Sequence, residues 1–351
     1  MQRIAEFAAA AVCASALFAL PVAAASVDSP YATLNGQAPI VIAHRGAPAY
    51  LPENTIGGNE LSAKMGADYI ETDVMMTRDG VLVAMHDSSL ARTTNVESVY
   101  APRNGGYAVK DFTYEELQAL TVEPTGSGRW TYPDFAPQDP NPYRIPSFAD
   151  MLDALTAYND KNGTNVGMLT EGKYAYDEAT SRAVIETLID KGYTTREKSM
   201  VQSFDFGNVF AYSNLLREYG VDMGVAQLGG IGKAGGQWTI DGVLVSQVAG
   251  HIDTLAASYG SITKELIDYA HGLGLSVYGW TFRPADQDMA FAQLKDLLDW
   301  GLDGIITDNP DYARAVVDSL DLAPVPLPAG LPLMAAGLGA LTALRIRRRR
   351  A

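Results

Sequence analysis

YIETDV, residues 69–74, is an apolar run that carries carboxylates at alternate positions. Successive side chains of a β-strand point to opposite faces, so Glu71 and Asp73 share one face, about 7 Å apart at their Cα atoms. Two carboxylates on one face of a buried strand repel each other and lose hydration, and a cation between them relieves both costs. The stretch therefore predicts a buried strand with a cation site. A solvated acidic edge is the alternative.

Two other apolar runs end in residues that suit metal or phosphate chemistry. Residues 40–43 (IVIA) precede His44 and Arg45, and residues 81–84 (VLVA) lie just before His86. Strand ends of this kind carry the chemistry of α/β barrels. These neighbours favour the cation site over the acidic edge.

The rest of the chain alternates short apolar runs with helical patterns, which is the rhythm of repeated βα units. Candidate strands cover residues 39–43, 69–75, 81–85, 167–170, 199–203, 223–227, 252–256, 276–280 and 304–307. Candidate helices cover residues 54–65, 114–119, 148–158, 177–191, 206–219, 264–272, 285–300 and 311–320.

The strand count predicts the architecture. The run at 81–85 follows the turn at 78–80 at hairpin distance, so we expect it to pair antiparallel with the strand before it. Eight strands remain, the number that a closed TIM-type (β/α)₈ barrel requires, and 351 residues suit such a barrel with insertions. A doubly wound open sheet is the competing architecture, but no glycine-rich dinucleotide fingerprint follows the first strand.

Two long stretches fall outside the βα units. Residues 123–144 are rich in Pro, Gly and aromatic residues, and residues 229–250 are rich in Gly. Ordered loops of this length are usually functional, so we expect active-site lids or walls, with surface decoration as the alternative. No internal repeat or second globular domain is indicated, and residues 39–320 are expected to form one barrel domain.

Composition limits the partners. An apolar fraction of 47% is enough for a large core, and the formal charge of -15 disfavours general attraction to nucleic acid or anionic lipid. A negatively charged protein that processes a phosphate has to neutralise it locally, with a metal ion or a few placed cations.

Residues 1–25 have the layout of a signal peptide. Arg3 precedes an apolar run at 7–20, and the small residues of a signal-peptidase site end at Ala25. Cleavage there would export the protein and remove Cys13, the single cysteine. Neither disulfides nor cysteine metal ligands would then contribute to the mature protein.

The C-terminal segment, residues 325–351, is separate from the barrel. Residues 327–344 are uncharged, long enough to span a bilayer, and followed by an arginine cluster that favours a cytoplasmic tail. VPLPA at 325–329, ahead of that helix, resembles the VPLPA type of C-terminal sorting signal. That resemblance implies cleavage by an exosortase-type membrane protease. We therefore expect a protein of the periplasm or cell surface, held at the membrane by this helix before processing.

A third carboxylate ends another predicted strand. Glu171 follows the apolar residues 167–170, and Lys173 follows at period two, so the acid and the cation share a face. With Glu71 and Asp73, Glu171 completes an all-oxygen site that suits Ca²⁺ or Mg²⁺. A surface ion pair is the plainer interpretation of Glu171 and Lys173 alone.

The other candidate residues surround these acids. His44 and His86 titrate near neutrality, so one can deprotonate an attacking oxygen while the other protonates the leaving oxygen. Arg45 and Lys173 are the expected phosphate contacts. Ahead of a predicted helix, Asn54 is a candidate N-cap, and Glu53 is a candidate to orient Arg45 or a metal ligand.

Eight motifs in order resemble those of glycerophosphodiester phosphodiesterases. They are HRG at 44–46, PENT at 52–55, ETDV at 71–74, HD at 86–87 with LARTT at 90–94, EGK at 171–173, QSF at 202–204, VYGWT at 277–281 and DGIITDNP at 303–310. The resemblance implies a TIM-type barrel and hydrolysis of glycerophosphodiesters to glycerol 3-phosphate and an alcohol. It also implies a divalent cation on Glu71, Asp73 and Glu171, with acid and base roles for His44 and His86.

Gly172 departs from that family, which usually has an apolar residue there, and it predicts a looser strand end. Trp280 is expected to pack against the glycerol or the head group, or simply to fill the barrel mouth.

A lipid phosphodiesterase like phospholipase D or sphingomyelinase D is the alternative enzyme, with an apolar mouth from the loop at 123–144. A non-catalytic surface or matrix protein is the alternative of another class.

Overall fold

The computed structural model describes residues 31–321. The predicted signal peptide at 1–25 and the predicted sorting segment at 325–351 lie outside these residues and stay predictions. Within the described range, no helix is both long and apolar enough to cross a membrane.

Twelve strands are present in the described residues. They are β1 Ile40–Ala43, β2 Tyr69–Met76, β3 Leu82–Ala84, β4 Gly167–Gly172, β5 Thr195–Ser203, β6 Asp222–Gly229, β7 Ile231–Ala234, β8 Gln237–Ile240, β9 Val243–Leu244, β10 Thr254–Ser258, β11 Ser276–Phe282 and β12 Gly304–Thr307.

Ten α-helices accompany them in the same part of the chain. They are α1 Ile56–Lys64, α2 Val96–Val99, α3 Tyr114–Leu117, α4 Phe148–Asn162, α5 Glu178–Asp190, α6 Phe206–Tyr219, α7 Val245–Val248, α8 Lys264–Gly272, α9 Gln287–Trp300 and α10 Pro310–Asp321.

Eight parallel strands close into a barrel. Their order around it is β1, β2, β4, β5, β6, β10, β11 and β12, and β12 pairs with β1 to complete the ring. The predicted TIM-type (β/α)₈ barrel is confirmed. Strand β3 pairs antiparallel with β2, as the hairpin prediction requires.

Local sequence explains where the outer helices begin and end. The Ser147 hydroxyl accepts from the Asp150 amide at the start of α4, and Asp205 accepts from the Asn208 amide at the start of α6. Such caps satisfy amides that have no partner within the helix. Helix α4 ends at Gly163 with φ of 66°, a left-handed conformation that glycine adopts without steric cost.

The period of two along each strand divides the core into two layers. On β2, Ile70 belongs to the apolar layer between strands and helices, whereas Tyr69 packs inside the barrel. Glu71 and Asp73 have the parity of Tyr69, so they point into the barrel at the carboxyl end of the strand. On β4, Leu169 packs inside, which places Glu171 on the interior as well.

The structure differs from the sequence prediction at residues 229–250. Strands β7, β8 and β9 form a separate antiparallel sheet there, where a loop was expected. The stretch that follows β3 is larger than a simple hairpin insertion, because it carries its own apolar cluster around Leu90, Phe112 and Leu117. Both elaborations extend the barrel and leave its ring of strands intact.

Candidate active site

Three buried carboxylates meet at the carboxyl ends of β2 and β4. Asp73 and Glu171 are paired residues in the parallel register of these strands, and Glu71 lies one period earlier on β2. Each offers a carboxylate oxygen, and the three oxygens lie within 4.8 Å of one another. Glu71 and Asp73 are 0% exposed, and Glu171 is 5% exposed. The predicted convergence of the three acids is therefore what the structure shows.

Each of these carboxylates has one oxygen held by the protein. Glu71 Oε2 accepts from the Arg45 amide at 2.7 Å, Asp73 Oδ2 from Asn54 Nδ2 at 2.8 Å, and Glu171 Oε1 from Lys173 Nζ at 2.7 Å. Glu71 Oε1 and Asp73 Oδ1 are buried without a hydrogen-bond partner among the described residues. Buried oxygens of this kind are costly unless a ligand satisfies them, and an all-oxygen donor set fits Ca²⁺ or Mg²⁺.

The acids oppose one another electrostatically. Burial, followed by repulsion from Asp73 and Glu171, raises the pKa of Glu71 well above its usual range. Burial and repulsion from Asp73 raise the pKa of Glu171 to about 7. Burial acts on Asp73 as well, but the charges of Arg45 and Lys173 outweigh it and lower the pKa of Asp73. A cation bound here would relieve this repulsion and displace the proton that Glu171 carries below a pH of about 7.

His44 is held by a carboxylate that the sequence prediction did not include. Its Nδ1 lies 2.6 Å from Asp308 Oδ1, and the other Asp308 oxygen accepts from Arg283 Nε at 2.6 Å. Burial lowers the pKa of His44, and the hydrogen bond to Asp308 opposes that shift. The signal was available, because Asp308 directly follows a predicted strand in the DGIITDNP motif.

His86 has a parallel arrangement. Its Nδ1 lies 2.5 Å from Asp87 Oδ1, and Arg92 donates to both oxygens of Asp87. The hydrogen bonds from Arg92 lower the pKa of Asp87 to about 2, so this carboxyl group stays ionised. Burial lowers the pKa of His86. Each imidazole thus has an aspartate and an arginine behind Nδ1, which leaves Nε2 available for a ligand.

Glu53 connects the two sides of the site. It accepts from Arg92 at 2.8 and 3.0 Å, from Arg45 at 3.2 Å and from Thr125 at 3.3 Å. It thereby links the arginine behind His86 to the predicted phosphate contact and to the loop at 123–144.

Asn54 does not have the predicted capping role. Thr55 caps α1, since its hydroxyl accepts from the Gly58 amide. The Asn54 side chain instead turns towards β2, where it donates to Asp73 and accepts from the Asp73 amide. Asn54 and Arg45 both have positive φ, at 54° and 52°, a conformation that is uncommon outside glycine. The tertiary contacts of both residues stabilise this backbone conformation.

Glu171, both histidines and both predicted phosphate contacts line one cavity of about 510 Å³, and Glu71 and Asp73 lie buried next to Glu171. Lys173 Nζ lies 3.8 Å from Asp73 Oδ1, and Arg45 Nε lies 3.2 Å from Asp73 Oδ2. Phe204, Leu228 and Trp280 form an apolar part of the cavity wall, with the Phe204 and Trp280 rings 5.4 Å apart. Trp280, on β11, therefore lines the cavity.

The aromatic residues of the loop at 123–144 do not form the apolar mouth that the sequence analysis considered. Its rings pair elsewhere, Trp130 with Tyr143 and Tyr132 with Tyr50. Within the described part of the chain, none of its aromatic residues lines the catalytic cavity. The apolar mouth that a lipid phosphodiesterase would need is therefore not built by this loop.

Comparison with known proteins gives the family. The sequence model of the glycerophosphoryl diester phosphodiesterase family matches residues 44–312. The chain is 30% identical over 272 residues to YhdW of Bacillus subtilis (strain 168), which covers 78% of this chain and 95% of that protein. It is 32% identical over 206 residues to the glycerophosphodiester phosphodiesterase of Haemophilus influenzae, which covers 54% of this chain and 56% of that enzyme.

The fold is shared with solved structures as well. The Oleispira antarctica phosphodiesterase OLEI02445, solved in complex with the product sn-glycerol-3-phosphate, aligns with a TM-score of 0.59 and 20% identity, over 82% of this chain and 99% of that one. At this identity the likeness shows the fold alone. The family match over residues 44–312 carries the assignment, and the chain belongs to the glycerophosphoryl diester phosphodiesterase family of enzymes.

Proposed function

We propose that the protein hydrolyses glycerophosphodiesters to glycerol 3-phosphate and an alcohol, with Ca²⁺ or Mg²⁺ held by Glu71, Asp73 and Glu171. One observation carries this proposal: the two aspartate-bound imidazoles line the same cavity as Glu171, whose carboxylate lies within 4.8 Å of those of Glu71 and Asp73. The Haemophilus influenzae relative is a glycerophosphodiester phosphodiesterase, and the Oleispira antarctica structure holds sn-glycerol-3-phosphate, both of which support this substrate class.

The phosphate would be held by Arg45 and Lys173. Both cations already neutralise the acidic cluster, and their charge opposes the negative charge that develops on the phosphoryl oxygens. A bound divalent cation would polarise a phosphoryl oxygen as a Lewis acid.

His44 and His86 would transfer the protons. Asp308 would accept from His44 Nδ1, and Asp87 from His86 Nδ1. These hydrogen bonds would orient each ring with Nε2 towards the substrate. One imidazole takes a proton from the attacking oxygen, either water or the neighbouring hydroxyl of the substrate, and the other donates a proton to the departing alcohol. Trp280 would pack against the part of the substrate in the barrel mouth.

The release of glycerol 3-phosphate tests this proposal. We expect turnover of at least one of glycerophosphocholine, glycerophosphoglycerol and glycerophosphoinositol, loss of turnover on chelation and recovery with Ca²⁺ or Mg²⁺. His86→Ala and Glu171→Gln are expected to lose most of the activity. Tyr176 is exposed and lies outside the cavity, so Tyr176→Phe serves as the control and should keep the activity. Full activity in His86→Ala, or in the presence of chelator, would refute the proposal.

The proposal extends to location. Residues 1–25 and 325–351 support export by signal peptidase, with a C-terminal helix that an exosortase-type protease removes. Both cleavages are tested by expression of the full chain in its host, followed by mass spectrometry of the protein found outside the cytoplasm. A mature protein that retains residues 1–25 would contradict export by this route.

A further inference from the structure

A second cavity, of about 680 Å³, adjoins the catalytic cavity. The two share His44, Arg45 and Arg283, so a ligand bound at these residues borders both spaces. We call the second space the side cavity. The proposed function gives it no role.

A phosphodiester has two ester arms, and the site offers two spaces for them. If phosphorus lies beside Arg45 and His44, as the proposed function requires, one arm can enter the catalytic cavity and the other the side cavity. Half of the residues that line the catalytic cavity belong to barrel strands, among them Leu228, Trp280 and Ile306, and the barrel fixes their positions. This cavity suits the arm that every substrate shares, the glycerol.

The side cavity is walled by loops, which suits the variable arm of the substrate. Residues 48–50, 125–127 and 283–285 contribute to it, and all three stretches lie outside the strands and helices. Binding specificity commonly resides in loops that a rigid scaffold positions. The alcohol head group is therefore the natural occupant.

The charges on this wall disfavour a cationic head group. Arg92 and Arg283 are half exposed and line the cavity, whereas the two acids of the wall are already engaged. Glu53 is bound by Arg92 and Arg45, and Asp308 by Arg283 and His44. An ammonium group would meet the guanidinium groups of Arg45, Arg92 and Arg283 and no free carboxylate among the residues that line the cavity.

The wall keeps hydrogen-bonding capacity that hydroxyl groups can use. Among residues 31–321, Arg283 is bonded through Nε alone, so its terminal nitrogens can donate to a ligand. Tyr312 and Asn309 line the cavity, and neither the Tyr312 hydroxyl nor Asn309 Oδ1 has a hydrogen-bond partner in residues 31–321. Donors and acceptors spread over a wall with compensated charge suit a neutral molecule that carries several hydroxyls.

We propose that the side cavity is the head-group subsite and that it selects uncharged polyols, of the glycerol or inositol type, over choline and ethanolamine. This inference rests on the proposed function. It assigns the substrate class that the sequence left open.

Head-group selectivity tests it, measured as kcat/KM for glycerophosphoinositol and glycerophosphoglycerol relative to glycerophosphocholine. We expect the wild type to prefer a polyol substrate at least tenfold. Tyr312→Phe removes one hydroxyl and should lower that ratio about threefold to tenfold through KM. Tyr176→Phe, an exposed tyrosine outside both cavities, should leave the ratio unchanged.

A gain of function makes the test independent of loss of activity. Ser127 is exposed on the cavity wall, so Ser127→Asp adds a negative charge there and should raise kcat/KM for glycerophosphocholine severalfold. Ser98→Asp, exposed and away from both cavities, should not. Turnover of all substrates with no polyol preference, or with a ratio that Tyr312→Phe and Ser127→Asp leave unchanged, overturns the subsite alone. Absence of turnover on every substrate refutes the proposed function and the subsite with it.

Discussion

The hydroxyl of Tyr212 occupies the space that a side chain at Gly172 would need. Gly172 lies buried at the end of β4, next to Glu171, and a Cβ built on it would overlap Tyr212 Oη. Tyr212 is fully buried on α6, and its hydroxyl lies 2.8 Å from Tyr174 Oη. Sequence predicted a loose strand end here, but Gly172 is paired with Val74 and packed against this tyrosine. The glycine is therefore part of the structure that holds Glu171.

Gly172→Ala should destabilise the protein. The added methyl group meets a buried hydroxyl on a packed helix, and overpacking of this kind costs about 1–3 kcal/mol. Because Glu171 is the adjacent residue, Ca²⁺ binding should weaken as well. Denaturant unfolding and calorimetric titration measure the two effects.

The matched control for this change is Gly272→Ala. Nothing lies within 4 Å of a Cβ built at Gly272, so its free energy of unfolding should stay the same or rise. Addition of Tyr212→Phe to Gly172→Ala removes the clashing oxygen and should recover part of the loss. If Gly172→Ala is as stable as wild type, the packing explanation is wrong.

Asp308→Asn should slow catalysis much more than it destabilises the fold. The amide cannot match the carboxylate as an acceptor for His44 Nδ1, so the orientation and tautomer of the ring are no longer enforced. We expect kcat to fall by about 10²-fold or more, with a shifted pH profile. Arg283→Gln removes the arginine behind Asp308 but keeps the carboxylate on His44, so it should lower kcat less. Unchanged kcat in Asp308→Asn would show that this carboxylate does not serve His44.

The sequence predicts the barrel and its acids for the same physical reason. The strands are short apolar runs, and their period of two places Glu71 and Asp73 on one face independently of the tertiary structure. Closure of the barrel then brings Glu171 beside them, because β4 is the neighbour of β2. Local pattern and topology are sufficient for this part of the site.

Other features depend on contacts that no local pattern encodes. Asp308 reaches His44 from 264 residues away, and Glu53 takes its role from Arg92 and Arg45. The sheet of β7 to β9 was missed because its short strands are partly exposed and lack a clear apolar alternation. Gly235-Gly236 and Asp241-Gly242 were the available signals, since both dipeptides favour hairpin turns.

Glu53→Ala should affect both stability and activity. Glu53 is buried and pairs with two arginines, so its removal leaves Arg45 with Asp73 and Arg92 with Asp87 as their remaining partners. Because these partners remain, we expect a cost at the lower end of that for breaking a buried pair, about 3 kcal/mol. We also expect a higher KM, because Arg45 loses its orientation towards phosphate.

Thermal or denaturant unfolding, together with steady-state kinetics, measures these effects. Glu218→Ala, which removes an exposed pair with Arg182, is the control and should cost far less than Glu53→Ala. Equal stability of the two variants would argue against Glu53 as the link between the two sides of the site.

Affinity for Ca²⁺ should increase with pH between 6 and 8. Burial and repulsion from Asp73 raise the pKa of Glu171 to about 7 in the metal-free protein, and the pKa of Glu71 is raised as well. Below a pH of about 7, Glu171 holds a proton that the ion has to displace, so binding releases that proton and Kd rises as pH falls. For one displaced proton the limiting slope is about tenfold in Kd per pH unit.

Calorimetric titration at pH 6, 7 and 8, in buffers of different ionisation enthalpy, measures both Kd and the protons released. Glu171→Gln cannot hold that proton, so it should bind Ca²⁺ more weakly and release fewer protons at pH 7. An affinity that stays constant from pH 6 to 8 would mean that the acids are already ionised without the cation. The raised pKa of Glu171, and with it the argument that this cluster is built to hold an ion, would then be wrong.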